Sequence, residues 1–180
     1  MRTALLRLAT VAASAVAALA LGTGFASASA TGGEHDPVIA PADAPISIQV
    51  TKLSHSDAAS RFRSSGITWS SSGNCSDRQN STCTSFEQIN LTTVQGGQTF
   101  KSASGCAVNI TGGTEVGHAS GTYSHYNGYK IDISLSSCVT GYIQRNFTAI
   151  GGNQWRSGSG NIYYLESNHW DITYYNCGGC

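Results

Sequence analysis

Six cysteines, all lying beyond residue 74, limit what this chain can fold into more than any other feature. They are Cys75, Cys83, Cys106, Cys138, Cys177 and Cys180. The N-terminal segment points them towards an oxidising compartment. Arg2 and Arg7 form a basic start, Leu8 to Leu21 is apolar and alanine-rich, and Ala26-Ser27-Ala28 or Ala28-Ser29-Ala30 supplies a small-residue cleavage pattern. Residues 1–30 are therefore expected to be a signal peptide, and the protein to be secreted, either extracellular or associated with a cell wall. An even cysteine count behind such a leader favours disulfides over thiols, so all six are disulfide candidates. Fifteen pairings are possible, and Cys75 with Cys83 is the best local choice. The Cys177-Gly178-Gly179-Cys180 stretch has redox-motif spacing but reads better as a structural clasp.

The roughly 150 residues after the leader suffice for one domain with a core of its own. Ten Lys and Arg balance ten Asp and Glu. Arg2 and Arg7 leave with the leader, and the slight acidic excess that remains argues against nucleic acid or an anionic membrane surface as partner. No later stretch approaches the roughly 20 apolar residues that cross a bilayer, so no membrane is expected after leader cleavage. Pro37, Pro41 and Pro45 all fall within 31–46, which is read as a flexible linker or propeptide remnant. The folded domain is assigned to 47–180.

Within it, Ile46, Ile48 and Val50 alternate as a short strand, and Ser56 or Asp57 can cap a helix through Arg63 that Gly66 stops. Thr84-Ser85-Phe86-Glu87 has the pattern of a capping box, which predicts a helix over 85–95 with Phe86, Ile89 and Val94 buried. Cys106, Val108 and Ile110 alternate as a strand running out into Gly112-Gly113. Residues 112–128 contain five glycines and form a long loop ending in the Asn127-Gly128 turn signal. A strand over 129–135, a helix capped by Ser136 or Ser137 and ending near Asn146, and strands near 147–150, 161–165 and 169–175 complete the reading. The fold class is α+β: a small antiparallel sheet with short helices packed around it, stabilised by disulfides.

Five histidines are available. His35 and His55 sit in or beside polar N-terminal segments and read as surface residues. His125 precedes the Asn127-Gly128 turn and Asp132 lies on the following strand, so the turn lets both converge on one point. Glu166 and His169 stand three apart between two apolar strand stretches, and a bend at Ser167-Asn168 would bring them together. Taken alone, either pair is more often a loop hydrogen bond than a metal site. Together, His125, Asp132 and His169 offer two imidazoles and a carboxylate, a ligand set that leaves the fourth zinc position to water. Glu166 then becomes the catalytic general base. No G-x-S-x-G elbow supports a serine hydrolase, and the even cysteine count disfavours a thiol nucleophile.

The order and spacing of these residues carry a resemblance. Ser124-His125-Tyr126-Asn127-Gly128-Tyr129-Lys130-Ile131-Asp132 resembles the S-x-H-x-x-G-x-A-x-D signature of the D-alanyl-D-alanine metallopeptidases, and Glu166-Ser167-Asn168-His169-Trp170 resembles their later E-x-x-H-[W/F] motif. These enzymes share a superfamily with lysostaphin-type peptidases and the hedgehog signalling domain. The similarity spans roughly residues 100–175, because Val108 to Gly113 resembles the strand and turn that precede the first motif. It implies Zn2+ held by His125, Asp132 and His169, with Glu166 as base and zinc-bound water as nucleophile. It also implies a peptidase hydrolysing bonds of peptidoglycan stem peptides, as a carboxypeptidase, dipeptidase or endopeptidase, and the protein is expected to be a monomer. The family's serine position is Tyr123 here, its small residue before the aspartate is Lys130, and where it commonly carries a substrate-holding arginine this chain reads Gly113-Thr114-Glu115. Arg145, Arg156 and His118 are the alternative donors for a developing oxyanion, and the substrate-binding residues stay unassigned. Two other readings compete: a disulfide-bonded secreted zinc-containing binding protein without efficient turnover, and a cystine-rich structural module whose His and acidic residues only hydrogen-bond.

Overall fold

The computed structural model describes residues 50–175. The leader, the linker, the expected strand from Ile46 and the Cys177 and Cys180 clasp lie outside the described residues. In chain order the elements are β1 (Lys52–Leu53), α1 (His55–Ser64), β2 (Thr68–Trp69), β3 (Ile89–Asn90), α2 (Leu91–Ser104), β4 (Asn109–Gly112), β5 (Lys130–Ser134), α3 (Ser137–Asn146), β6 (Thr148–Gly151), β7 (Gln154–Arg156), β8 (Ile162–Leu165) and β9 (His169–Thr173). The class is α+β, as expected. The main sheet runs β2-β4-β5-β9-β8-β7-β6, and β1 pairs with β3 alone. Every pairing in the main sheet is antiparallel except β2 with β4, which is parallel.

Alternation along the central strands sorts the residues into two faces. Ile131 and Ile133 of β5, with Trp170 and Ile172 of β9, are fully buried on the face covered by helices. The Trp170 indole donates to Thr140 Oγ1 of α3 at 3.1 Å. On the α2 side, a methyl on Gly97 would lie 3.2 Å from Phe62 of α1 and 3.4 Å from Ile131. Gly96 presses even closer, against the ring of Tyr174. These two glycines lower the intrinsic preference of α2 for helix, yet they let its backbone approach the sheet closely enough to bury its neighbours Val94 and Phe100. Lys130, Asp132 and Ser134 of β5, with His169, Asp171 and Thr173 of β9, take the opposite face.

The expected helix over 85–95 is displaced to Leu91–Ser104. The supposed capping-box groups have other partners. Ser85 N–H donates to Glu115 Oε2 at 2.7 Å, Phe86 N–H to His55 Nδ1 at 3.0 Å, and Glu87 Oε2 accepts the His55 N–H at 2.8 Å. Glu87 thus satisfies the start of α1, not a helix of its own, and Gln88 takes a left-handed φ of 65° that breaks the backbone there. Phe86, Ile89 and Val94 are nevertheless buried. The cap of α1 is Ser54, whose hydroxyl accepts from Asp57 N–H at 3.1 Å, in place of Ser56 or Asp57. Ser136 caps α3 as read, accepting from Val139 N–H at 3.1 Å. Strand β7 was not anticipated, because residues 151–160 are rich in Gly, Asn and Ser and show no apolar alternation.

Cys75 and Cys83 form the expected short-range disulfide, and a second bridge ties Cys106, just before β4, to Cys138 in the first turn of α3. This bridge fastens α3 to the chain entering the sheet. Gly96→Ala is expected to destabilise the fold by about 1–2 kcal/mol, since crowding the Tyr174 ring outweighs the roughly 1 kcal/mol gained in helix propensity. Urea titration measures the change, and a stabilised variant would contradict the close packing of α2 on the sheet.

Candidate metal centre

The loop over 112–128 delivers the first histidines. Gly112 pairs with Asp132 across β4 and β5, and a side chain on Gly112 would strike the Asp132 carboxylate. A methyl on Gly113 would strike the Ser85 carbonyl. The two glycines therefore make room for a carboxylate on the sheet and for the loop that folds over it. His125 is fully buried, and the turn after it closes through Gly128 N–H donating to His125 O at 2.7 Å. Gly128 holds a φ of 81° with its α-carbon packed against the backbone around Ile89, a place only glycine fills comfortably.

Glu166 and His169 face each other across a hairpin whose bend falls at Ser167-Asn168, as expected. Leu165 pairs with Trp170, and Glu166 N–H donates to His169 O at 3.0 Å, so Ser167 and Asn168 form the turn. Residues directly opposite in a hairpin put their side chains on one face, which is how a spacing of three becomes a shared site.

His125, Asp132, His169 and Glu166, drawn from distant parts of the chain, meet at one place. His125 Nε2 lies 3.2 Å and His169 Nε2 3.5 Å from Asp132 Oδ1. Glu166 Oε2 lies 3.5 Å from His169 Nε2. His118 joins them: its Nδ1 is 3.9 Å from Asp132 Oδ2, and its ring stacks on that of His125 with centroids 3.9 Å apart. His118, His125 and Asp132 each offer a ligand atom, all within 4.8 Å of one another, and this group can hold a metal ion. Of the three alternative donors, Arg145 and Arg156 are exposed on α3 and β7, and His118 stands in the site. Its place there was not readable from sequence, because the path of a glycine-rich loop is set by tertiary contacts.

Hydrogen bonding defines what the imidazoles present. The Gly113 carbonyl can only accept, so His125 Nδ1, 2.7 Å away, carries the proton. In the neutral ring the lone pair of Nε2 would face an oxygen of Asp132 at 3.2 Å, one acceptor against another. A cation between them, or a proton on the ring, resolves that repulsion. Two donors each about 2.0–2.1 Å from a tetrahedral ion stand about 3.4 Å apart, so the separations of 3.2 and 3.5 Å from Asp132 suit donors sharing a metal. Burial pushes the Asp132 carboxyl upward, but the positive potential and hydrogen bond of His125, with His118 and His169, outweigh it and leave its pKa below the ordinary aspartate value.

Glu115, in the stretch where the resembling family commonly carries an arginine, is buried beside this group. Its carboxylate accepts from Ser85 N–H, from Gly113 N–H at 3.0 and 3.1 Å, and from His118 Nε2 at 3.4 Å. Burial acts to raise its pKa, and these hydrogen bonds more than reverse the effect. Beyond the site, Lys130 and Asp171 form a buried ion pair at 2.5 Å, which separates the charge of Asp171 from that of Asp132 directly across the strand pair.

No profile of a known protein family, no curated protein and no solved structure matches the chain. Among the described residues no helix is long and apolar enough to cross a membrane.

The lowered pKa of Glu115 makes its contribution to stability complete above the ordinary glutamate value and lost as pH falls through the lowered one. Glu115→Gln should therefore cost most stability at neutral pH, with the difference from wild type narrowing as the solution is acidified below pH of about 4.5. Denaturant titrations across pH provide the check, and a pH-independent difference would contradict an ionised Glu115.

Proposed function

We propose that this protein is a secreted zinc-dependent peptidase that hydrolyses peptide bonds in peptidoglycan stem peptides. The observation that carries the reading is the convergence of His125 and His169 on the one carboxylate oxygen of Asp132, with the Glu166 carboxylate against the same imidazole of His169. His125, Asp132 and His169 would hold the ion, and a bound zinc would polarise the scissile carbonyl and make water acidic near pH of about 7. Glu166, with only 6% of its side chain exposed, receives a proton from the attacking water and returns it to the departing amine. The Gly113 carbonyl fixes the His125 ring, and Asn168 Oδ1 holds His169 Nδ1 at 2.7 Å, so both imidazoles keep one orientation. The resemblance to D-alanyl-D-alanine metallopeptidases supplies the substrate class, and the disulfides Cys75–Cys83 and Cys106–Cys138 suit an oxidising exterior.

One observation favours a second reading, a secreted zinc-containing binding protein without efficient turnover. In the stretch where the resembling family commonly carries a substrate-holding arginine, this chain has the buried carboxylate of Glu115, committed to backbone amides and His118.

The two are separated by incubating purified peptidoglycan with the metal-loaded protein and measuring released D-alanine and stem peptides. Under the peptidase reading wild type releases them, His125→Ala binds no zinc, and Glu166→Gln keeps its zinc but turns over at least about 100-fold more slowly. Zinc bound by a wild type that releases nothing would replace the peptidase with the binding protein. A chain that takes up no zinc at all would end both.

A further inference from the structure

We infer that His118 is a fourth protein ligand of the metal, so that the resting centre is closed by three imidazoles and one carboxylate. The inference rests on the zinc reading above and deepens it, because the expected set of His125, Asp132 and His169 leaves one position to water. Each of the three imidazoles has the same two-sided arrangement. One ring nitrogen meets an oxygen acceptor: His125 Nδ1 the Gly113 carbonyl at 2.7 Å, His169 Nδ1 the Asn168 amide oxygen at 2.7 Å, and His118 Nε2 the Glu115 carboxylate at 3.4 Å. The other nitrogen faces the carboxylate of Asp132, at 3.2 and 3.5 Å from Oδ1 for His125 and His169, and at 3.9 Å from Oδ2 for His118.

A metal-ligating histidine characteristically donates its second N–H to a carboxylate or carbonyl, which fixes its tautomer and its aim. Glu115 does this for His118. Its charge is maintained by the amides of Ser85 and Gly113, so it is an acceptor and drives the proton to His118 Nε2, leaving the Nδ1 lone pair toward Asp132. The His118 ring stacks on that of His125, and the ligand atoms of both lie within 4.8 Å of each other and of Asp132 in the group able to hold a metal. Glu115 thus has a role as the support of an additional ligand.

Four protein ligands give the closed shell of a structural zinc site. His118 is the ligand best placed to leave it. It lies on the glycine-rich loop between Gly117 and Gly121, with φ of 112° and 155°, and its side chain is 22% exposed where that of His125 is 0%. With zinc bound, His118 would have to give up its position before the ion could take the water that the peptidase reading requires.

X-ray absorption at the zinc edge, on the full chain loaded with one equivalent of Zn2+, counts the imidazoles directly. Three are expected in wild type and two in His118→Ala, with zinc affinity lowered at least about tenfold by competition with a chelator. The wild-type count needs no variant, so it stands even if His118→Ala folds poorly. Two imidazoles in wild type, or an unchanged count and affinity in His118→Ala, would overturn the fourth ligand while leaving the three-ligand centre intact. Failure of wild type to bind zinc would remove the centre itself, and the inference with it.

Discussion

The carboxylate of Asp132 is the group on which the rest of the site depends. It is almost wholly buried on the polar face of the sheet, where an unpaired negative charge would cost several kcal/mol. The protein offsets that cost with imidazoles from three directions: His118 and His125 from the loop over 112–128, and His169 from the neighbouring strand. The fold is arranged around this need. Gly112 is bare where the carboxylate passes, Gly113 turns its carbonyl to hold His125, and the hairpin after β8 sets His169 and Glu166 side by side. With Nδ1 of His125 committed as a donor, the neutral ring turns an acceptor toward an acceptor. A cation between the two groups, or a proton on His125, makes that geometry favourable.

The scaffold that holds this arrangement is built on the other side of the sheet. Helix α2 lies close enough to press glycines against Phe62, Ile131 and Tyr174, and the disulfide from Cys106 to Cys138 fastens α3 beside it. The central strands β5 and β9 therefore have one face locked into a hydrophobic core and the other free to carry charge. Such rigidity matters for chemistry, because a metal centre needs its donors held in place before the ion arrives. Lys130 contributes on the polar face by neutralising Asp171, which otherwise would set a second carboxylate directly opposite Asp132.

Much of this was legible in the sequence where local chemistry decides the outcome. Ser136 announces α3, Cys75 and Cys83 are close enough to pair, and the turn residues between His125 and Asp132, and between Glu166 and His169, place these pairs on common faces. Where long-range contacts decide, sequence was misleading or silent. Thr84 to Glu87 has every mark of a capping box, yet Glu87 caps α1 and Ser85 donates to Glu115, thirty residues further on. Nothing local indicates that Cys106 joins Cys138, that the Gly- and Ser-rich stretch around β7 continues the sheet, or that His118 folds back onto His125. His118, read only as an alternative oxyanion donor, and Glu115 belong to one loop whose path is set by the strand beneath it and the segment around Ser85.

The central claim is that Asp132 anchors a metal centre, and calorimetric titration of Zn2+ into metal-free protein tests it most directly, with Asp132→Asn as the comparison because it preserves shape while removing the charge. The expected result is one zinc per chain for wild type and at least about 100-fold weaker binding for Asp132→Asn, with both proteins folded, since a carboxylate ligand to Zn2+ is far stronger than a neutral amide. Equal affinity in the two proteins, or no zinc binding by wild type, would contradict it.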